Sequence, residues 1–205
     1  MPQACLVAVR HGQTTWNATG RFQGHADPPL DAEGIAQAEL LAAELAGLAD
    51  HGLLGPGRPG LLSSDLRRAA ATAAAVARAL GSDLVLDPAL RELDLGDWTG
   101  MYHAHAKARF PEEYRLWRAG LDIRRGGGET PGEAGQRVAT RVEQALAAHP
   151  DRSLIVVGHG VALRSGLEAL RSRGTVSFSG PAPHLGNCCY FATPLPRPFR
   201  VGVSV

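Results

Sequence analysis

The chain has 205 residues, 44% of them hydrophobic and 20% charged, which suits one globular α/β domain with a sizeable core and excludes a disordered chain. Its formal net charge of +1 gives no general case for nucleic-acid or membrane partners, so any affinity for an anion must be local. No apolar run approaches the ~20 residues that span a bilayer, and Met1 leads straight into a short strand without an apolar run of signal-peptide length.

Taken in order, apolar residues 4–9 predict a buried strand that stops at Arg10, His11 and Gly12. A polar loop over 15–30 follows. Asp31-Ala32-Glu33-Gly34 opens a helix on which Ile35, Ala38, Leu41, Ala42, Leu45 and Leu48 recur at helical spacing. After a Pro/Gly loop over 52–60, residues 61–64 predict a short strand, and Asp65 is placed to cap a helix over 66–80. Residues 84–86 predict another strand. The stretch 88–130 is less regular and holds most of the aromatics, and Thr130 and Pro131 start a helix over 131–149. Residues 153–157 give the strongest strand signal, ending at Gly158-His159-Gly160 before a helix over 161–171. A Gly/Pro/Ser loop over 174–186 precedes a hairpin of 188–192 with 199–205. The alternation predicts a three-layer α/β/α sandwich with a mostly parallel sheet, in a single domain over 1–205 with a lid-like insertion at about 88–130. Cys5, Cys188 and Cys189, odd in number and strand-like in context, read as reduced core thiols in a cytoplasmic protein.

Four clusters carry chemistry. At the first strand end, Arg10 offers a planar fork of donors for phosphate or carboxylate. His11 supplies an imidazole that is neutral and nucleophilic near neutral pH. Gly12 lets the backbone approach a ligand closely, and Thr14 and Asn17 add further donors. The second cluster, Ser63-Ser64-Asp65-Leu66-Arg67-Arg68-Ala69, puts two arginines in the first turn after a strand. The third, Leu90-Arg91-Glu92-Leu93-Asp94-Leu95-Gly96-Asp97-Trp98-Thr99-Gly100, sets acids among apolar residues and glycines. The fourth, Gly158-His159-Gly160, repeats the logic of the first at a helix N-terminus, where backbone N–H groups favour an anion. In a parallel sheet such strand ends converge at one carboxyl edge.

These motifs, in this order and spacing from residue 7 to about 192, resemble the histidine phosphatase superfamily, in its phosphoglycerate-mutase-like branch. With Gly126-Gly127-Gly128-Glu129-Thr130 and Leu185-Gly186-Asn187, the chain is most similar to small bacterial phosphatases of that family, including those acting on glucosyl-3-phosphoglycerate. The resemblance implies a histidine acid-type phosphomonoesterase that needs neither metal nor bound cofactor. It implies that His11 becomes phosphohistidine, that Arg10, Arg68 and His159 bind phosphoryl oxygens, and that Glu92 protonates the leaving oxygen. Asn17, Thr14 and the Gly160 amide are assigned to the phosphate, and Gln23 and Gly24 to the substrate beside it. Arg68, which directly precedes Ala69, is taken as the pocket arginine, and Arg67 as solvated surface.

The chemistry fits those roles. A phosphomonoester carries nearly two negative charges, which repel an anionic nucleophile but not a neutral imidazole. Its loose transition state spreads charge over equatorial oxygens, where fixed positive donors contribute most. Protonation of the leaving oxygen is worth ~10²–10⁴-fold in rate, and partial burial beside the phosphate would keep Glu92 protonated.

Elsewhere, His103 and His105 lack accompanying zinc ligands and read as exposed or lid residues. His25 stands open between a substrate contact and plain surface, and His51 and His184 read as surface. Trp98 reads as core, Tyr102 stays open, and Glu129 is placed for the pocket mouth. Arg118, Arg124 and Arg125 predict preference for a phosphorylated carboxylic acid over a neutral sugar phosphate. The partner expected is a small phosphoester, with a homodimer allowed. Two alternatives remain: a 2,3-bisphosphoglycerate-dependent phosphoglycerate mutase, disfavoured by the missing basic insertion between Glu92 and His159, and a non-catalytic phospho-ligand binding module, disfavoured by the presence of His11 and Glu92.

Overall fold

The computed structural model describes residues 3–196. Its strands are β1 (Cys5–Arg10), β2 (Gly60–Ser63), β3 (Leu84–Leu86), β4 (Leu154–Gly158) and β5 (Tyr190–Pro194). They form one sheet in the order β3-β2-β4-β1-β5, parallel throughout except for β5, which runs antiparallel to β1. The near-continuous apolar runs of β1 and β4 follow from burial on both faces. Leu6, Ala8, Leu62, Leu154 and Val156 pack against α6 (Pro131–Ala148) and α7 (Gly160–Ser172). Cys5, Val7, Val9, Leu61, Ile155 and Val157 pack against α2 (Ala32–Asp50) and α3 (Arg67–Leu80). This is the expected three-layer α/β/α sandwich with a mostly parallel sheet.

Helix starts follow local chemistry. The Asp31 carboxylate accepts from the Gly34 N–H at 2.8 Å, and Thr130 with Glu133 forms a capping box ahead of Pro131. The apolar stripe of α2 buries Ala38, Leu41, Ala42 and Leu45, whereas Ile35 in its first turn stays exposed.

Several local expectations are corrected. The loop over 15–30 contains a short helix, α1 (Thr15–Ala18), capped by Thr14. Asp65 does not cap α3; both its oxygens accept from Arg91, at 2.8 and 2.5 Å. The Arg67 N–H is taken instead by Asp27 Oδ1 at 2.7 Å. The stretch 88–130 is more regular than expected, with α4 (His103–Arg109) and α5 (Pro111–Arg118), two helices too short to display a period. Their aromatics close on Phe22 and Trp98 to form a separate small core. Cys188 and Cys189 sit in the turn before β5 rather than in a strand, and Cys189 is exposed. The second arm of the expected hairpin, 199–205, lies outside the described residues.

The functional edge is set by the β1–β4 pairing, which puts Arg10 opposite Gly158 and lets the His11 N–H donate to the Gly158 carbonyl at 3.0 Å. Immediately beyond, the chain crosses the start of α2 so tightly that a Cβ on Gly34 would meet the Gln13 carbonyl oxygen at 2.0 Å, and one on Gly12 the Gly34 oxygen at 2.5 Å. Gly34→Ala should therefore destabilise the fold by ~1–3 kcal/mol through overpacking, although alanine favours an isolated helix by about 1 kcal/mol. Urea unfolding checks this, and an unchanged or raised midpoint would contradict the crossing.

Candidate active site

His11 is buried at the end of β1. Its Nδ1 lies 2.7 Å from the Gly12 carbonyl oxygen. A carbonyl only accepts, so Nδ1 carries the ring proton and Nε2 keeps its lone pair. Burial, then the neighbouring Arg68 and Arg10 charges, press the His11 pKa down from 6.5 to about 3. The ring is thus neutral at physiological pH. The loop is locked from several sides: Thr72 Oγ1 accepts from the Gly12 N–H at 3.0 Å, and Asn187 Nδ2 donates to the His11 carbonyl at 3.0 Å.

Two arginines converge beside it. Arg68, in the first turn of α3, is 0% exposed and donates to the Gly24 and Ala26 carbonyls at 2.9 and 2.7 Å. Burial lowers its pKa to about 10. Arg67 is exposed, as expected. Arg10 donates to the Leu185 carbonyl at 2.9 Å. The Nε atoms of both Arg10 and Arg68 are buried and have no partner among the described residues. His159 is also fully buried, its ring centroid 5.1 Å from that of His11. Its Nε2 lies 2.9 Å from Ser64 Oγ, while its buried Nδ1 has no partner among the described residues. Burial, then the Arg68 charge, hold it well below the usual histidine range.

Glu92 occupies the N-terminus of α7. Its carboxyl oxygens accept from the N–H groups of Val161 and Ala162 at 3.3 and 3.0 Å, and from Leu93 at 2.9 Å. The first amides of this helix end, expected to face a bound anion, are thus in part occupied by the Glu92 carboxyl oxygens. The loop that carries Glu92 is held by Arg137 of α6, which donates to the Ala89, Arg91 and Glu92 carbonyls at 2.8–2.9 Å and pairs with Glu129. Glu129 therefore serves this clamp and does not face the pocket mouth.

Arg10, His11, Asn17, Gln23, Gly24, Arg68, Glu92 and Gly160 all line one cavity of about 440 Å³. His159 is fully buried beside His11 and is not among the residues that line the cavity. Thr14 is also off the wall: its hydroxyl caps α1 and contacts Asn17 Oδ1 and Gln23 Oε1 at 3.0 and 3.2 Å, so it orients those two amides. A second cleft, of about 560 Å³ beside Arg58, Arg141 and His149, contains none of the predicted site residues.

The family model described as histidine phosphatase superfamily (branch 1) matches residues 6–192. The chain belongs to this superfamily. Phosphoserine phosphatase 1 of Hydrogenobacter thermophilus is 32% identical over 161 residues, 78% of this chain and 72% of that protein. The probable phosphoglycerate mutase GpmB of an Enterobacter species is 39% identical over 163 residues, 77% and 70% respectively. Among solved structures, a mycobacterial glucosyl-3-phosphoglycerate phosphatase in complex with VO3 superposes with a TM-score of 0.78 at 30% identity, covering 92% of this chain and 90% of that one.

Other residues of this histidine phosphatase fold were not singled out from sequence, or were placed elsewhere. His184 was expected at the surface; it is exposed, but it lies at the cavity mouth, where its Nε2 meets Arg164 at 2.5 Å. His103 lines the cavity, whereas His25 is turned to the Glu92 carbonyl at 2.7 Å, and Tyr102 lies outside against Arg21 and His105. Of the three arginines expected to select the substrate, Arg124 is tied to Glu133 and the Gly128 carbonyl, Arg118 is exposed beside Trp117, and Arg125 lines the cavity. Asn187 and Arg137 act through the backbone, and only the Gly186-Asn187 step in the loop before β5 hinted at the first.

The two buried neutral histidines make stability depend on pH. Between pH 6.5 and 3 the unfolded chain binds protons that the native His11 refuses, so the native state loses stability as pH falls through that window and keeps it in full above. From pH 6.5 to 5 this is about 1–2 kcal/mol for His11, and the lowered His159 pKa acts in the same direction. Calorimetric melting temperatures should fall over this range in wild type, and His11→Asn should show a shallower fall. Equal slopes would mean that His11 titrates normally in the folded protein.

Proposed function

We propose that the protein is a metal-independent histidine acid-type phosphatase, hydrolysing a small phosphorylated metabolite of the phosphoglycerate type through a phosphohistidine on His11. The observation that carries this is the state of the His11 ring: neutral, with Nδ1 donating to Gly12 and Nε2 free, on a cavity wall shared with the buried Arg68 and the half-buried Arg10.

In this reading Nε2 attacks phosphorus in line with the ester oxygen. The P–O bond to the leaving group breaks as the N–P bond forms, and Glu92 passes its proton to the departing oxygen. The Glu92 carboxylate then takes a proton from water, which attacks phosphorus, and phosphate leaves with His11 restored. Arg10 and Arg68 offer fixed positive charge to the equatorial oxygens, which the loose transition state rewards. Their buried, unpartnered Nε atoms are consistent with donors held ready for such an anion. Asn17 and the Gly160 N–H extend the phosphate cradle, and Gln23 and Gly24 contact the group beyond it. His159 packs beside the nucleophile, and in this reading its unpartnered Nδ1 donates to the phosphoryl group once that group is carried on His11.

Metal independence rests on the two arginines supplying the charge a cation would otherwise provide. Among the described residues, no three His, Cys, Asp or Glu side chains are grouped to hold a metal ion. No described helix is long and apolar enough to cross a membrane, and Cys5, Cys188 and Cys189 are free thiols, which suits the reducing cytoplasm we assign to it. The relatives named above act, by their names, on phosphoserine, phosphoglycerate and glucosyl-3-phosphoglycerate, all phosphorylated acids or their derivatives, and a cavity of about 440 Å³ accommodates molecules of that size.

His11→Ala should remain folded and lose turnover. Quenching in alkaline detergent with labelled substrate should leave acid-labile, alkali-stable phosphate on wild type and none on the variant; a variant that labels normally refutes the nucleophile. Dialysis against a chelator should leave activity intact, and a loss reversed by magnesium or zinc would show that the arginines do not suffice. A mutase assay run beside phosphate release separates hydrolysis from transfer.

A further inference from the structure

Arg125 stands apart from the other arginines of the cavity wall. Arg10, Arg68, Arg21 and Arg164 each have a hydrogen-bond partner: the Leu185 carbonyl, the Gly24 and Ala26 carbonyls, the Gly100 carbonyl and His184. Arg125 is only 4% exposed, its Nε is buried without a partner, and its side chain has neither a hydrogen bond nor a carboxylate within ion-pair distance among the described residues. Its one close aromatic contact is Trp117, with the guanidinium carbon 5.9 Å from the ring centroid. A buried cation without a counter-charge is costly and persists where an anion completes it.

The backbone that presents Arg125 is firmly set. Gly126 has φ of +58°, and its N–H donates to Glu113 Oε2 at 2.8 Å. The glycine run packs directly on the turn after Glu92: a Cβ on Gly96 would meet the Gly126 carbonyl oxygen at 2.0 Å, and one on Gly128 the Asp94 oxygen at 2.2 Å. The Gly126-Gly127-Gly128 run thus permits the close approach that turns Arg125 inward while Arg124 faces out to Glu133. Burial lowers the Arg125 pKa, and the charge of Glu92 opposes that shift.

We propose that Arg125 receives the carboxylate of the substrate and sets the preference for phosphorylated acids over uncharged phosphoesters. The proposal rests on the phosphatase reading for the position of the phosphoryl group, which Arg10 and Arg68 take in the same cavity. A carboxylate, rather than a second phosphate, suits a single unpaired guanidinium, whose fork matches two oxygens and one negative charge. Arg124, adjacent in sequence, and Arg118, seven residues earlier, take no part.

The test compares 3-phosphoglycerate with glycerol 3-phosphate, which carries an alcohol where the first has a carboxylate. Wild type should prefer the acid by roughly ten- to a hundredfold in kcat/KM. Arg125→Met should bring the ratio close to one, mainly by raising KM for the acid, with glycerol 3-phosphate unchanged within about twofold. Arg125→Lys should retain part of the preference, and Arg118→Ala and Arg124→Ala all of it. Since methionine removes an unpaired buried charge, Arg125→Met should melt no lower than wild type without ligand; if it does fail to fold, Arg125→Lys carries the comparison. Calorimetric binding of 3-phosphoglycerate against inorganic phosphate gives a readout independent of turnover, with the excess affinity of the acid lost in the Arg125 variants. A ratio that ignores Arg125, or an equal loss on both substrates, overturns the proposal. A wild type that binds 3-phosphoglycerate through Arg125 but hydrolyses neither ester overturns the phosphatase reading and leaves this one standing.

Discussion

The site depends on one pairing, that of β1 with β4. Each strand ends in a histidine next to a glycine, and parallel register puts the two ends side by side, with Val9 opposite Val157 and Arg10 opposite Gly158. A residue slip would turn Val7 and Val9 from the α2–α3 face to the other and separate the imidazoles. The apolar side chains that lock this register on both faces therefore also hold the His11 and His159 centroids 5.1 Å apart. Desolvation follows from the same burial and keeps both rings neutral.

Around this pair the electrostatics are concentrated rather than global. The whole chain carries a formal charge of +1, yet Arg10, Arg21, Arg68, Arg125 and Arg164 meet on one cavity wall, with Glu92 and Asp122 as the acids there. Most of these cations are anchored through neutral carbonyls, which fix their position without cancelling their charge. Outside the cavity the arrangement reverses, and Arg78, Arg115, Arg171 and Arg173 are paired with glutamates.

What was legible in the sequence had local causes. The strand ends, the α2 and α6 starts and the choice of Arg68 over Arg67 follow from alternation, capping and motif order. What was missed arises from partners distant in sequence. Asp65 has the composition of a helix cap but finds Arg91, and the Arg67 N–H finds Asp27, 40 residues away in the chain. Thr14 looks like a phosphate donor but spends its hydroxyl on Asn17 and Gln23. Arg137, one arginine on an amphipathic helix, has no local mark of the three carbonyls it gathers. The helices α4 and α5 are too short to show a period, and what fixes them is the aromatic packing on Phe22 and Trp98.

The mooring of Glu92 has a consequence for how such a protein diversifies. Its carboxyl group hangs on the first amides of α7, and its loop hangs on Arg137 of α6. Both supports belong to the sandwich and neither to the aromatic segment that carries α4 and α5. Changes in that segment that keep its packing on Leu93, Ala134 and Val161 leave the acid where the sandwich puts it. Descendants of one such ancestor would then share a reaction and differ in diet, with novelty accumulating in the cover and constancy in the frame.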